Sequence, residues 1–462
     1  MAAITSSHLL LGFYGDDFTG STDAMEGLTR AGLRTALFIK PPRPEQLAGY
    51  PNLRAVGIAG CSRSLTPERM DLELKPAFKA LEALQLPVVH YKVCSTFDSS
   101  PEIGSIGRAL DIGADLFKTR VVPLLVGAPI LGRYCVFGNL FARSGLDSEP
   151  YRLDRHPTMA RHPITPMSES DLRVHLARQT RRKIGLVDIL CVTDVEQARA
   201  RFAQLADEGT DAILLDVLYR EQEPVIGQVI WEQVRPGSTL FVVGSSGVEY
   251  SLTAHWKQLG ILPEPPKWKP TTVDRAVVVS GSCSPVTDRQ IAWALNHGAM
   301  EVPVRTPELI DPATAETEIE RVVETALGIW SQGKTVICHS SRGPNDPRRA
   351  ATAERLRSLG HDPRQDSGRI LGEALGHILL RTSLRGEAKR LAVTGGDTSF
   401  FVASTLGIEA LEMVAPIAPG CPLCQAHIPG SPLDGVEICF KGGQVGRDDF
   451  FNTVLNPDGA GI

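Results

Sequence analysis

Residues 9–32 read LLLGFYGDDFTGSTDAMEGLTRAG, and the interpretation of the fold starts from them. An apolar run ends at Gly-Asp-Asp, and the apolar residues that follow have the spacing of an amphipathic helix. This stretch predicts a strand, a loop and a helix. The apolar segments TALFI (35–39), AVGIA (55–59) and VVHYK (88–92) follow, with helix-forming residues 67–84 before the last of them. Such alternation is typical of a mainly parallel sheet with helices on its faces.

The chain of 462 residues predicts two domains, because single cores stop growing near ~250–300 residues. Strands are also predicted at VVPLLVGA, DILCV, AILLDVL and TLFVVGSSG, which extend the first domain. A proline-rich stretch then indicates a linker at 263–274, between a first domain (1–262) and a second domain (275–462). The second domain repeats the strand, loop and helix pattern in RAVVVSGSCSPVTDRQIAWAL. The predicted fold class is α/β, with two mainly parallel sheets flanked by helices and an active-site cleft between the domains.

Composition excludes several classes of function. The net charge of -5 gives no basic face for neutralising the phosphates of nucleic acid. No apolar run reaches the ~18 residues of a membrane span, and the N-terminus has no cleavable signal pattern, so a cytoplasmic location is expected. The nine cysteines suggest reduced thiols rather than a disulfide framework. Cys421 and Cys424 have motif spacing without a second Cys/His pair nearby, so packing is expected there and no metal site is predicted.

The loop from Gly15 to Ser21 places Asp16 and Asp17 after a strand and just before a helix N-terminus. Ligands of open α/β sheets bind outside the carboxyl ends of the strands, so this loop is a candidate for binding a hydroxylated ligand. The alternative is a capping turn, in which a carboxylate accepts backbone N–H groups of the helix. Two acids with Thr19 and Ser21 exceed what one cap requires.

A second loop, Tyr91–Ser100, puts Lys92 at a strand end beside Ser95, Thr96 and other hydroxyls. Such a group suits a small polyhydroxy anion, because lysine neutralises a carboxylate while hydroxyls pair with hydroxyls. Arg63 lies in a third loop, Cys61–Ser64. Taken alone, a serine-rich turn is more often only a loop and a surface arginine is more often only solvated.

Three loops of the second domain resemble phosphate-binding turns: Ser280–Ser284, Thr394–Ser399 and Lys441–Gly446. Exposed N–H groups at a helix N-terminus bind phosphate, and glycine permits the close approach. Lys441 adds a cation. The chain contains neither a GxxxxGK[ST] loop nor a GxGxxG after a strand, which argues against a Walker NTPase and an NAD-dependent dehydrogenase.

Taken in order, the motifs YGDDFTGSTDA, CSRS, SGSCSPVTDRQI, VTGGDTS, APGCP and FKGGQVG resemble those of the four-carbon acid sugar kinase family. The resemblance spans nearly the whole chain. It implies a sugar-acid domain followed by an ATP domain, with acid sugar and ATP as partners and Mg²⁺ as cofactor. A homodimer is one option for its assembly.

The resemblance also implies site residues. The sugar-acid pocket would be lined by Asp16, Asp17, Arg63, Lys92, Cys94, Ser95 and Thr96. ATP would be surrounded by Ser282, Gly395, Gly396, Asp397, Thr398, Gly442 and Gly443. The family pattern Lys-x-Asp-Ser-Thr-Leu-Arg-Gly-Asn reads KVCSTFDSS here, with Cys94 in place of the acid and Asp98 in place of the arginine. The resemblance implies 3-oxo-isoapionate or a 3-oxo-tetronate, threonate or erythronate as the acid sugar. The departure at Cys94 and Asp98 makes the chain look like the branch that phosphorylates 3-oxo-isoapionate.

Phosphoryl transfer depends on positioning, charge neutralisation and a base near the attacking hydroxyl. Asp17 is the predicted base, with Asp16 supporting the loop or a hydroxyl, and Asp397 is the rival base. A different hypothesis, motivated by Cys94 and Asp98, is an acid-sugar and nucleotide-binding protein that has lost catalysis. His156, Arg161 and His162, in a proline-rich loop, could reach the substrate, although a structural role is more common for two histidines six positions apart on a loop.

Overall fold

A computed structural model of the protein describes residues 9–144, 148–162 and 164–457. The chain divides into two units, of which the first ends at Pro266 and the second begins at Lys267. This division lies inside the segment predicted as a linker, while the linker bounds 263 and 274 stay a prediction. Each unit has its own buried apolar core.

The first unit is built from alternating strands and helices. Its strands are β1 (Leu11–Gly15), β2 (Thr35–Phe38), β3 (Ala55–Ala59), β4 (Val88–Lys92), β5 (Val122–Leu125), β6 (Arg133–Val136), β7 (Asn139–Arg143), β8 (Pro150–Arg152), β9 (Ile184–Val187), β10 (Ala212–Leu215) and β11 (Leu240–Gly244). Its helices are α1 (Phe18–Arg30), α2 (Pro44–Leu47), α3 (Pro67–Ala83), α4 (Ile106–Phe117), α5 (Leu172–Leu176), α6 (Val195–Asp207), α7 (Glu223–Trp231) and α8 (Gly247–Gln258).

Eight of these strands run parallel in the order β2-β3-β1-β4-β11-β5-β10-β9. Strand β1 is buried along its length, because helices cover both faces of a parallel sheet. The other three, β6, β7 and β8, form a small antiparallel sheet that the sequence did not predict. The parallel register aligns the carboxyl ends of β1, β3, β4 and β11, so the loops that follow them share one edge.

The strand predicted at DILCV (188–192) is wrong. The strand ends at Val187, and the chain turns immediately afterwards. Two carboxylates accept the N–H groups that a ladder would use: Asp216 Oδ2 accepts from Ile189 at 3.1 Å, and Asp188 Oδ1 accepts from Leu190 at 3.0 Å. Side-chain acceptors of this kind compete with the strand ladder; Asp188 is visible in the segment, whereas the contact with Asp216 depends on the fold.

The second unit begins with the strand, loop and helix predicted from its sequence. Its strands are β12 (Val277–Ser280), β13 (Met300–Pro303), β14 (Val336–His339), β15 (Arg390–Thr394), β16 (Ala410–Ala418), β17 (Cys421–His427) and β18 (Glu437–Lys441). Its helices are α9 (Pro285–Asn296), α10 (Thr306–Leu309), α11 (Ala315–Trp330), α12 (Pro347–Ser358), α13 (Pro363–Gly386), α14 (Gly396–Thr405) and α15 (Phe450–Leu455).

Strands β13-β14-β12-β15-β18 of this unit are parallel, and β17 and β16 continue the order with antiparallel pairing. The carboxyl ends of β12, β14, β15 and β18 are aligned in register. The predicted fold class, two α/β units of mainly parallel strands flanked by helices, is therefore confirmed. The cleft expected between the domains stays a prediction.

Arg390 is a fully buried cation on β15. Its guanidinium pairs with Glu437 on β18 and donates to the carbonyl oxygens of Thr271, at 2.7 Å, and Val454. It thus connects the segment before β12 and the last helix to the sheet.

We expect Arg390→Met to lower the free energy of unfolding by about 3 kcal/mol, because it leaves a carboxylate and two carbonyl groups without their partner. Urea unfolding followed by circular dichroism measures the loss. The matched control is Arg381→Met, which removes an exposed pair with Glu316 and should cost below about 1 kcal/mol. Equal losses in the two variants would contradict the role given to Arg390.

Candidate active site

Three loops of the first unit, after β1, β3 and β4, are joined by backbone hydrogen bonds at the edge of the sheet. The Asp16 N–H donates to the Lys92 carbonyl oxygen at 2.8 Å, and the Arg63 N–H donates to the Asp16 carbonyl oxygen at 3.0 Å. These three loops are far apart in the sequence. The sheet order brings their predicted site residues Asp16, Asp17, Arg63 and Lys92 together.

Asp17 both caps helix α1 and pairs with a cation. Its Oδ1 accepts the Gly20 N–H at 2.8 Å, while Oδ2 accepts the Thr19 hydroxyl at 3.1 Å and lies 2.7 Å from Arg63 Nη2. Burial would raise the pKa of Asp17, but the positive charges of Arg63 and Lys92 outweigh it and hold the pKa below its ordinary value. Asp17 is therefore an ionised group held in place by the helix and by Arg63.

Asp16, its neighbour, has a different environment. The residue is only 2% exposed, and its Oδ1 has no hydrogen-bond partner among the described residues. Burial, followed by repulsion from Asp17, raises the pKa of Asp16 to about 7. The two adjacent carboxyls thus have pKa values shifted in opposite directions.

Lys92 is buried at the carboxyl end of β4. Its Nζ lies 3.5 Å from Asp23 Oδ2, which accepts the Ser246 hydroxyl at 2.6 Å. Burial alone would lower the pKa of Lys92, but the neighbouring carboxylates, with Asp23 first, raise it above its ordinary value. The ammonium therefore stays charged. A Cβ at Gly20 would lie 2.8 Å from Nζ, so a side chain there would displace the ammonium.

Asp23 and Ser246 were not predicted as site residues. Asp23 lies within helix α1, where an acid looks like an ordinary helical residue. Ser246 follows β11, and a polar residue just after a strand could have been chosen as a candidate site residue from the sequence. Its nearness to Lys92 depends on the pairing of β11 with β4, in which Gly244 is opposite Lys92.

The loop that departs from the family pattern is a hydrogen-bonded chain. Cys94 Sγ lies 3.1 Å from Thr96 Oγ1, and that hydroxyl donates to Asp98 Oδ1 at 2.6 Å. Burial, with the nearby Asp98 charge, raises the pKa of Cys94 to about 11, so the thiol stays protonated. Ser95 lies in the same turn. Phe97 adopts φ 54°, a conformation uncommon for a non-glycine residue.

The predicted nucleotide residues of the second unit also lie together. The Gly281 N–H donates to the Thr394 carbonyl oxygen and the Gly395 N–H to the Lys441 carbonyl oxygen, both at 2.9 Å. An added Cβ at Gly281 would lie 2.0 Å from Thr398 Oγ1, and one at Gly443 would lie 2.9 Å from Ser282 Oγ. The three loops approach so closely that a side chain at either glycine would displace Thr398 or Ser282.

Helix α14 begins in this cluster. Gly395, its N-cap, has φ 121°, and no described atom lies within 4 Å of the position that a Cβ on Gly396 would occupy. The start of the helix therefore has open space beside Gly396, as a phosphate bound at a helix N-terminus would require. Asp397 is in the first turn, with its Cβ 3.4 Å from the Cβ position of Gly368 on α13.

Lys441 does not offer its charge to a ligand as expected. It is buried, and its Nζ donates to Thr287 Oγ1 at 3.1 Å and to the Gly442 carbonyl oxygen at 2.9 Å. Burial lowers the pKa of Lys441 to about 8. The β18 ladder directs this side chain into the unit, where it holds the loop in shape.

The remaining candidates have structural environments. Cys421 and Cys424 are buried, as packing residues would be, and the described part of the chain holds no group of three or more possible metal ligands. His156 Nδ1 accepts the N–H groups of Thr158 and Met159, each at 3.2 Å, and His162 Nδ1 accepts that of Thr165 at 3.1 Å. Each histidine closes a local turn, which favours the structural interpretation.

Comparison with known proteins places these two sites in one family. Residues 11–252 match the sugar-binding N-terminal domain model, and residues 277–451 match the nucleotide-binding C-terminal domain model. The chain therefore belongs to the four-carbon acid sugar kinase family, and it is a phosphotransferase with an alcohol group as acceptor that uses ATP. This assignment confirms the resemblance seen in the motifs, and it does not favour the hypothesis of a binding protein without catalysis.

The relatives are similar along nearly their whole length. The chain is 47% identical to 3-oxo-isoapionate kinase of Paraburkholderia graminis, covering 96% of this chain and 94% of that protein. It is 29% identical to 3-oxo-tetronate kinase of Pseudomonas savastanoi pv. phaseolicola, covering 98% of each. A crystal structure from Salmonella typhimurium LT2, provisionally described as a tRNA synthase, has TM-score 0.75 at 27% identity, covering 97% of this chain and 99% of that one.

Proposed function

We propose that this protein transfers the γ-phosphate of ATP to a terminal hydroxyl of 3-oxo-isoapionate. The observation that carries the proposal is the 47% identity to a 3-oxo-isoapionate kinase, compared with 29% to a 3-oxo-tetronate kinase. The edge of the first unit supports it, because Arg63 and Lys92 are cations beside buried carboxylates and hydroxyls. This mixture suits a small acid that also carries hydroxyl groups.

The acid sugar is proposed to bind at the loops that follow β1, β3 and β4. Arg63 and Lys92 neutralise its carboxylate, and Asp17 holds Arg63 in position. Cys94, Ser95 and Thr96 contact the sugar, with Asp98 accepting from Thr96. Because Asp98 is buried where the family has an arginine, it would favour a hydroxyl of the substrate over a second anionic group.

ATP is proposed to bind at the loops that follow β12, β15 and β18. Backbone N–H groups of Gly396 and Thr398, in the first turn of α14, are proposed to bind the phosphates, while Ser282, Gly395, Gly442 and Gly443 shape the surrounding turns. Mg²⁺ usually takes one or two carboxylates together with phosphate oxygens, so it needs no cage built from protein alone. Asp397 is the carboxylate that would hold it, and the bound metal would neutralise charge on the phosphates.

A coupled ADP-release assay tests the substrate over 3-oxo-isoapionate, 3-oxo-tetronates, threonate and erythronate. We expect kcat/KM for 3-oxo-isoapionate to exceed that for each of the others by at least about tenfold, which corresponds to ~1.4 kcal/mol of transition-state binding. A higher kcat/KM for a 3-oxo-tetronate would overturn the assignment of substrate. Nucleotide protection in a thermal shift without ADP formation would favour a binding protein instead.

The location and assembly predicted from the sequence stay predictions. Among the described residues, none of the helices combines the length and the apolarity that crossing a membrane requires. A cytoplasmic enzyme is proposed because the co-substrate ATP is supplied there. Sedimentation of the full chain would show whether it is the homodimer left open by the sequence.

A further inference from the structure

We propose that Asp16, and not Asp17, is the base that accepts the proton of the attacking hydroxyl. The first observation is the set of hydrogen bonds and ion pairs that each carboxylate already makes. Both oxygens of Asp17 are already engaged, Oδ1 by the Gly20 N–H and Oδ2 by Thr19 and Arg63. A carboxylate that caps a helix N-terminus and pairs with an arginine has little hydrogen-bonding capacity left to accept a proton from the substrate.

Asp16 is held rigidly at the same edge without such engagement. Its backbone N–H donates to Lys92 at the end of β4, and its carbonyl oxygen accepts from Arg63 in the loop after β3, which positions its backbone at this edge. Its Oδ1 is buried and has no partner among the described residues. A buried polar atom without a partner is costly in a folded protein, and it is expected where a ligand completes the hydrogen bond.

The groups around Asp16 explain how its proton affinity is set. The charged and titratable residues that interact with it are Asp17 on its own loop, Arg63, Lys92, Asp98, Cys94 and Tyr91. Burial and the Asp17 charge raise its pKa more than Arg63 and Lys92 lower it, which brings the pKa to about 7. A base with a pKa near the working pH combines a useful ionised fraction with a useful proton affinity.

The step balances without another reactant beyond ATP. The O–H bond of the substrate breaks, its proton passes to the Asp16 carboxylate, and the hydroxyl oxygen forms a bond to the γ-phosphorus. The bond from that phosphorus to the bridging oxygen breaks and ADP leaves. Asp16 then releases the proton to water.

The test compares Asp16→Asn with Asp17→Asn in steady-state kinetics, and it rests on the proposed function. We expect Asp16→Asn to lower kcat at least about a hundredfold, the size typical of losing a general base, with the KM for ATP unchanged. In the wild type, kcat/KM should rise with pH through about 7, because the base must be ionised. Asp17→Asn should raise the KM of the acid sugar, because Arg63 loses its partner. It should keep a rise of kcat/KM with pH, at lower pH than in the wild type, because the Asp17 charge no longer raises the pKa of Asp16.

The kinetic results distinguish failure of the proposed function from failure of the assignment of the base to Asp16. A wild type that forms no ADP with any of the acid sugars contradicts the proposed function and the base together. Turnover with kcat unchanged in Asp16→Asn contradicts only the base. Loss of the pH dependence in Asp17→Asn, with the dependence kept in Asp16→Asn, assigns the base to Asp17.

A second measurement does not depend on turnover. The folded pKa of Asp16 is raised from 3.8 to about 7, so ionisation opposes folding, and the wild type should lose stability relative to Asp16→Asn as pH rises through that window. Urea unfolding of both chains at several pH values measures this difference, and Asp16→Ser serves if the asparagine variant does not fold. A stability difference between the two chains that does not change with pH would contradict the raised pKa of Asp16 that supports its role as the base.

Discussion

Lys92→Met should raise the KM for the acid sugar by roughly a hundredfold while the KM for ATP stays the same. Methionine keeps the length of the side chain and removes the ammonium, which lies 3.5 Å from Asp23 and is charged because of the carboxylates around it. Removing one partner of a buried charge pair typically costs about 3 kcal/mol, which corresponds to that factor. Initial rates over a range of sugar concentrations at saturating ATP measure the change.

The control for Lys92→Met is Lys75→Met. Lys75 is exposed on α3 and pairs with Asp71 one helical turn away, so its loss should leave both KM values as they are. Circular dichroism separates loss of the site from loss of the fold. A KM for the acid sugar within threefold of the wild type, in a folded Lys92→Met chain, would remove Lys92 from the proposed substrate site.

Gly395→Ala should weaken ATP binding at least about tenfold. The residue has φ 121°, which strains any side chain, and the added Cβ would lie 2.9 Å from Thr398 Oγ1 and 3.3 Å from the Ser282 nitrogen. Backbone strain of this kind costs about 1–3 kcal/mol, and relieving it moves the loops proposed to bind phosphate. Isothermal titration with ATP or ADP measures the dissociation constant.

Gly430→Ala is the matched control for that substitution. Gly430 also has positive φ, at 81°, but no described atom lies within 4 Å of its Cβ position. It should therefore lose stability through strain and keep its nucleotide affinity. Equal weakening in both variants would indicate a general loss of stability rather than a nucleotide site at Gly395.

Most residues of the candidate site were proposed from the sequence, because each of its loops follows a strand and carries its own residue pattern. Asp17 and Arg63 were placed in one pocket from family motifs separated by 46 positions, and the structure joins them at 2.7 Å. Strand β4 was predicted with its observed bounds, Val88–Lys92, because a buried parallel strand is a continuous apolar run. The prediction at DILCV failed because Asp188, inside the segment, accepts an N–H of the following turn, and Asp216, 27 positions away from Ile189, contacts the segment only in the fold.

Strand order limited what else could be inferred. Ser246 reaches Asp23 because β11 pairs with β4, although the chain between those strands contains six other strands. Nothing in the local sequence predicts that pairing. The small sheet of β6, β7 and β8 was missed for a related reason, since its short strands are only partly buried and have no strong apolar pattern.

The sequence by itself determined that two glycine-rich and acid-rich loops follow strands in two α/β units, and which family's motifs they carry. Local order and residue type suffice for that. Only the tertiary structure distinguished the two adjacent aspartates that begin with the same chemistry. Asp17 meets a helix N-terminus and Arg63, whereas Asp16 is buried with an oxygen left without a partner. Proton affinity depends on burial and on charges a few ångströms away, and those distances exist only after the sheet has brought the loops together.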